Sequence, residues 1–334
     1  MSFRLISKRA EEGICEVYIE KFFKPKRYLL TISSLQALLG VACSKFLASY
    51  VRHIELVMID LVHAKQHPDV RARLPIPQDL VRARSTNLPL NPTPLSQHKR
   101  ATLWKKETAA LWDDGDGERI LKWILEKLDK LDSLEITSDL KAPGLFGARG
   151  LVDTGILTSK DCQAYLDDNK SFQPVLNALL ASRCHVRHLR LREAESEITF
   201  LDIWTQYRNV WHYLHTLDIC LHKILENKAR KESLVGLLST CGNLQNFRIS
   251  FKGQYDDNDG GGYFSELVRS LHMAPLCSVG VTSMYVRKSD LDILLAMKAL
   301  QSVQLSDIFN CDKGGIEEVQ YRRRDREWVK TSAT

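Results

Sequence analysis

Asp153 opens the sharpest chemical motif of the chain, "LVDTGIL" at 151–157. Asp-Thr-Gly after apolar residues is how an aspartic-protease loop presents a carboxylate. That chemistry needs two carboxylates sharing one proton. No second Asp-Thr-Gly or Asp-Ser-Gly occurs, so Asp153 reads as a loop residue capping the turn that follows it. Histidines stand three apart in "HVRH" (185–188) and "HYLH" (212–215). On a helix such pairs would suit a metal, but on a strand residues three apart face opposite sides. "DDGDGE" (113–118) echoes a calcium loop, yet the twelfth position counted from Asp113 is Ile124 rather than a glutamate. "GLFGARG" spaces its glycines wrongly for a dinucleotide turn. No catalytic residue, metal set or cofactor is expected.

The elements that would carry any site show a clearer rule. The pattern apolar-x-x-apolar-x-apolar occurs at Val51/Ile54/Leu56, Leu131/Leu134/Ile136, Val186/Leu189/Leu191 and Leu214/Leu217/Ile219. It returns at Leu244/Phe247/Ile249, Leu276/Val279/Val281 and Leu300/Val303/Leu305. The last two apolar positions alternate with polar ones, which predicts a short strand. From Leu189 the central residues step by 28, 30, 32 and 24 to Leu217, Phe247, Val279 and Val303. Such intervals fit one supersecondary unit per repeat. The earlier steps, Ile54 to Leu134 and Leu134 to Leu189, are 80 and 55 and leave room for inserted loops.

Helical stripes lie between the strands. Leu234/Leu237/Leu238, Phe264/Leu267/Val268/Leu271 and Leu291/Leu294/Leu295 each make one face. Ile120, Leu121, Ile124, Leu125 and Leu128 stripe an earlier helix. Ser33 with Gln36, and Ser289 with Asp292, stand at capping-box spacing. Helix, link and strand in repetition predict parallel strands with helices on one side. The expected fold is therefore an α/β, leucine-rich-repeat-like solenoid. A curved parallel sheet carries helices on its outer face, in irregular repeats of about 24–32 residues.

The expected organisation has four parts. N-terminal repeats occupy 1–70, and an inserted loop occupies 71–100, where five of the chain's ten prolines fall between 71 and 99. The irregular array runs over 101–311, with loop insertions at 138–160 and 252–262. A basic, frayed tail spans 312–334.

Net charge is 47 − 41 = +6 over 334 residues, with acidic runs interrupting the basic ones. A mixed solvated surface fits better than a nucleic-acid stripe. Nucleic-acid binding through the basic middle strands and tail is kept as one alternative, and an enzyme of aspartic type using the Asp-Thr-Gly at 153–155 as a second. No two of the eight cysteines form C-x-x-C and most sit in apolar patterns, so a disulfide framework is not expected. No stretch approaches a membrane span. An intracellular protein without a membrane partner is expected.

The repeat region, in "CHVRHLRLRE", "WHYLHTLDIC", "STCGNLQNFRIS" and "MKALQSVQLSD", resembles leucine-rich-repeat proteins. Residues 18–56, "YIEKFFKPKRYLLTISSLQALLGVACSKFLASYVRHIEL", look like the segment that follows the F-box in fungal F-box proteins. In that family the repeats hold a substrate and the F-box docks the adaptor of a cullin–RING ubiquitin ligase. No F-box is found before Tyr18, so adaptor docking is expected only if one lies upstream of Met1. The resemblance implies a substrate-recognition arm with a protein partner. Repeat geometry puts the partner on the concave sheet face, between the inward apolar residues. The residues placed there are His53, Glu55, Glu135, His188, Arg190, Arg192, Asp218, Asn246, Arg248 and Gln304.

Overall fold

The computed structural model describes residues 26–57, 110–137, 145–146, 172–194, 211–222, 228–252, 262–271, 274–310, 315–324 and 327–332. They fall into two compact units. The first is built on the chain up to Glu135 together with Asn177–Cys184, the second on His185 onward. The proline-rich 71–100 segment and Asp153 lie outside the described residues, as does most of the 138–160 and 252–262 insertions.

In the first unit, strands β1 (Lys26–Leu29), β2 (His53–Val57), β3 (Ser133–Thr137) and β4 (Leu145–Phe146) lie in the order β4-β1-β2-β3. Strand β1 pairs in parallel with both β2 and β4. Helix α1 (Ile32–Cys43) crosses from β1 toward β2, followed by the short α2 (Lys45–Ala48). Thr31 caps α1, its side chain accepting from the Ser34 amide at 3.4 Å. The expected Ser33/Gln36 box is thus displaced by two residues. Thr31 is the extended residue at the helix boundary, and a cap needs non-helical backbone. Helix α3 (Asp116–Lys127) begins at Gly115 in left-handed geometry, φ 73°. Asp116 and Glu118 occupy its first turn, where the helix dipole favours carboxylates. "DDGDGE" is therefore a helix start. Leu121, Ile124, Leu125 and Leu128 are buried, as their spacing predicts.

The second unit holds β5 (His188–Ala194), β6 (Thr216–His222), β7 (Asn246–Lys252), β8 (Ser278–Thr282) and β10 (Ser302–Asn310) as one parallel run. The two-residue β9 (Tyr285–Val286) pairs with β10. Helices α5 (Lys228–Thr240), α6 (Gly262–Leu271) and α7 (Lys288–Leu295) connect successive strands. Helix α4 (Phe172–Ser182) precedes β5.

The register explains the sequence rhythm. Leu189, Leu217, Phe247, Val279 and Val303 stand side by side across the five strands. Every apolar residue in the seven motif copies is buried, none more than 5% exposed. Each such side chain contributes about 1.5–3 kcal/mol of transfer free energy. A local clamp repeats with the strands. Gln245 and Asn246 both donate to the His215 carbonyl, Cys277 and Ser278 to Gln245, and Gln301 and Ser302 to Cys277. His215 and Thr216 do the same to Arg187, and in the first unit Asp132 and Ser133 to Arg52. Each strand start is thus tied to the turn before its predecessor.

Two expectations about the last elements are corrected. Helix α7 is capped by the extended Arg287 with no side-chain bond, so Ser289 lies inside the helix and no capping box forms. Nor are the described residues of 312–334 a frayed tail. Strands β11 (Gly315–Arg324) and β12 (Glu327–Ser332) add to β10 as an antiparallel ribbon. Few of its side chains are apolar because a terminal ribbon buries little. Val319 is its fully buried contribution among the described side chains. No described helix is long and apolar enough to cross a membrane.

Candidate functional site

Between the buried positions, each strand of the second unit turns polar residues to the opposite face. The register arranges them in rows. His188, Thr216, Asn246, Ser278, Ser302 and Arg322 form the first. Arg190, Asp218, Arg248, Gly280, Gln304 and Gln320 form the second. Cys220, Ser250, Thr282 and Ser306 continue a third. Seven of the ten sequence-predicted residues belong to this face. Arg192 stands where the β5–β6 register shifts, between Leu191 and Ala194, and it is exposed, as are Arg248 and Gln304.

The rows differ chemically. In the first, Asn246 donates to the Thr216 hydroxyl at 3.4 Å and Ser302 to the Ser278 hydroxyl at 2.9 Å. In the second, Arg190 Nε stands 3.9 Å from Asp218 Oδ2. Both side chains are partly exposed, so the pair contributes at most about 1 kcal/mol. Arg248 instead crosses Gly280, its Cγ 3.0 Å from where a Cβ would stand. A glycine inside a strand marks such a close approach, and "SVGVT" already carried that signal.

The remaining three predicted residues lie in the first unit. His53 Nδ1 and Ser133 Oγ are 2.9 Å apart. The clamp from Ser133 to Arg52 sets Ser133 opposite His53, hence Glu135 beside Glu55. Glu55 pairs with Arg27 at 2.5 Å, with side chains 13% and 6% exposed. No local pattern in the sequence marks Arg27. It lies in register with Glu55, but only pairing reveals that neighbour. Glu135 is 8% exposed and so offers a partner little surface.

His185 stacks on Tyr213 with centroids 4.0 Å apart. No group of three or more potential ligands occurs among the described residues. Burial raises the Cys184 thiol to about 11. Burial also raises Cys241, to about 12, outweighing a lowering hydrogen bond from Thr240. Neither thiol supplies thiolate near neutral pH.

Comparison of the chain with protein-family models and with curated proteins gave no match.

Proposed function

We propose that this chain is a non-catalytic protein–protein interaction scaffold, a leucine-rich-repeat-like solenoid akin to the substrate-recognition arm of an F-box ubiquitin-ligase receptor. The observation that carries the reading is the rows of polar side chains, held in register by the buried ladder beneath them. The recurring strand-start clamp supports the repeat architecture. A preformed sheet face of short and medium polar side chains loses little entropy when a partner covers it.

The test is affinity capture from cells with face-blocked variants. Asn246→Trp and Ser278→Trp place bulk on the polar face without touching the apolar ladder. Arg269→Trp, on the exposed side of α6, is the control. Partners retained by wild type and Arg269→Trp but lost from both face variants are the expected result. Equal recovery by all four chains sinks the reading. Recovery of a cullin adaptor tests the ligase part separately.

A further inference from the structure

The second-unit face carries Arg190, Arg192, Arg248 and Arg322, with Asp218 as the acidic residue among its described row positions. Asp218 stands next to Arg190. Arg248 makes no hydrogen bond or ion pair among the described residues, and it is exposed. Its stem nevertheless runs across Gly280. Cγ and Cδ lie 3.0 and 3.7 Å from the position of an absent Gly280 Cβ. The glycine has no side chain there, and the Arg248 methylenes occupy that space.

Small side chains keep the surroundings open. Ser278 precedes Gly280 by two residues on the same face, and Thr282 follows by two. Ser302 spends its hydroxyl proton on Ser278, which leaves the Ser278 O–H to donate outward. Gln304 flanks Gly280 on the other side, in register and exposed. Neighbouring strands are about 4.8 Å apart, so Arg248 and Gln304 bracket the glycine across roughly 10 Å. Guanidinium, hydroxyl and amide donors therefore surround a glycine crossed by the Arg248 stem, and the described charges around it are mostly positive.

We infer that this place binds an acidic segment of a partner protein, with a carboxylate or phosphate oxygen held by Arg248 over Gly280. The inference rests on the scaffold reading above and names its ligand chemistry. Arg248 supplies paired N–H donors that match a planar carboxylate or a phosphate. Arg190, Arg192 and Arg322 draw further acidic residues along the rows.

The probe is a fluorescent peptide of about eight residues, long enough to cross the five parallel strands at roughly 4.8 Å each. It is prepared as a glutamate- and phosphoserine-containing form and as an uncharged glutamine and serine form. Anisotropy is measured with the full chain at about 50 mM salt, where screening is modest. The acidic form should bind and the neutral form should not. Arg248→Ala should weaken binding about tenfold, the worth of one charge-assisted contact. Gly280→Ala should weaken it while leaving the melting temperature unchanged or raised. Arg269→Ala, which removes the same charge from α6, should change binding by less than about twofold.

Equal losses in Arg248→Ala and Arg269→Ala would overturn the inference. So would equal binding of the neutral peptide, or tighter binding of a single-stranded oligonucleotide than of the acidic peptide. If acidic peptides fail to bind while Asn246→Trp and Ser278→Trp still lose captured partners, the oxyanion site alone falls. If both experiments fail, the scaffold reading falls with it.

Discussion

Gly117 and Gly280 each yield their side-chain space to a neighbour, but the neighbours respond differently to substitution. A Cβ at Gly117 would meet the Trp112 ring at 2.8–2.9 Å. That indole is anchored, its Nε1 donating to the Leu30 carbonyl at 3.2 Å. Glycine to alanine inside a helix normally gains up to about 1 kcal/mol. Here overpacking against a fixed ring costs about 1–3 kcal/mol, so Gly117→Ala should destabilise. Urea unfolding measures the sign, and a stabilised variant would show that Trp112 gives way freely. At Gly280 the obstacle is a flexible arginine stem, so the cost falls on the position of Arg248 and stability is spared. Both glycines stand in the sequence, but their opposite roles come from which side chain crosses them.

At the level of elements, the C-terminal ribbon serves α7. Trp328 Nε1 donates to the Leu295 carbonyl at 2.7 Å, and Arg323 Nη1 to Lys298 at 2.8 Å and Met297 at 3.4 Å. These are carbonyls at and just beyond the helix end, which lack intrahelical donors. Arg323 also lies over the Trp328 ring, 5.9 Å from its centroid. Arg323, from the basic C-terminal stretch, thus joins Trp328 in capping the end of α7. Trp328→Phe should cost about 0.5–1.5 kcal/mol, the net worth of one hydrogen bond. Hydrogen exchange should quicken first in β11, β12 and the last turn of α7. Uniform exchange changes across both units would contradict a local capping role.

For the molecule as a whole, the buried titratable groups set a pH limit. Cys184 and Cys241 rise from an ordinary 9.0 to about 11 and about 12, and burial raises Tyr28 from 10.0 to about 12. Their raised values mean that the fold favours the neutral forms. That stabilisation is complete below pH 9, where the unfolded thiols are also neutral. It is lost as pH rises from about 9 towards 12, as the unfolded chain releases protons that the folded chain keeps. Melting temperature should therefore fall through this window, and Cys241→Ala should flatten part of the fall. A pH-independent melting temperature between 9 and 11 would contradict the burial of these groups. A thiol reagent near pH 8 should label exposed Cys43 in the native chain and spare Cys184 and Cys241 until unfolding.

The sequence alone determined the ladder. Period-two apolar positions spaced 28, 30, 32 and 24 residues apart fall in register because each unit can bury its apolar face only against its neighbours. The same alternation assigned seven of the ten candidate residues to one face of the second unit, since a strand's polar positions must lie opposite its buried ones. What pairing decides was not legible: Arg27 against Glu55, Arg323 and Trp328 on the end of α7, Arg248 across Gly280. These contacts join residues 28, 25–33 and 32 positions apart. No local periodicity encodes them, because side-chain partners across strands follow from the register of the folded sheet. Tertiary structure alone therefore sorted the charges, placing Arg27 with a carboxylate, Arg323 at a helix end and the Arg248 stem across Gly280.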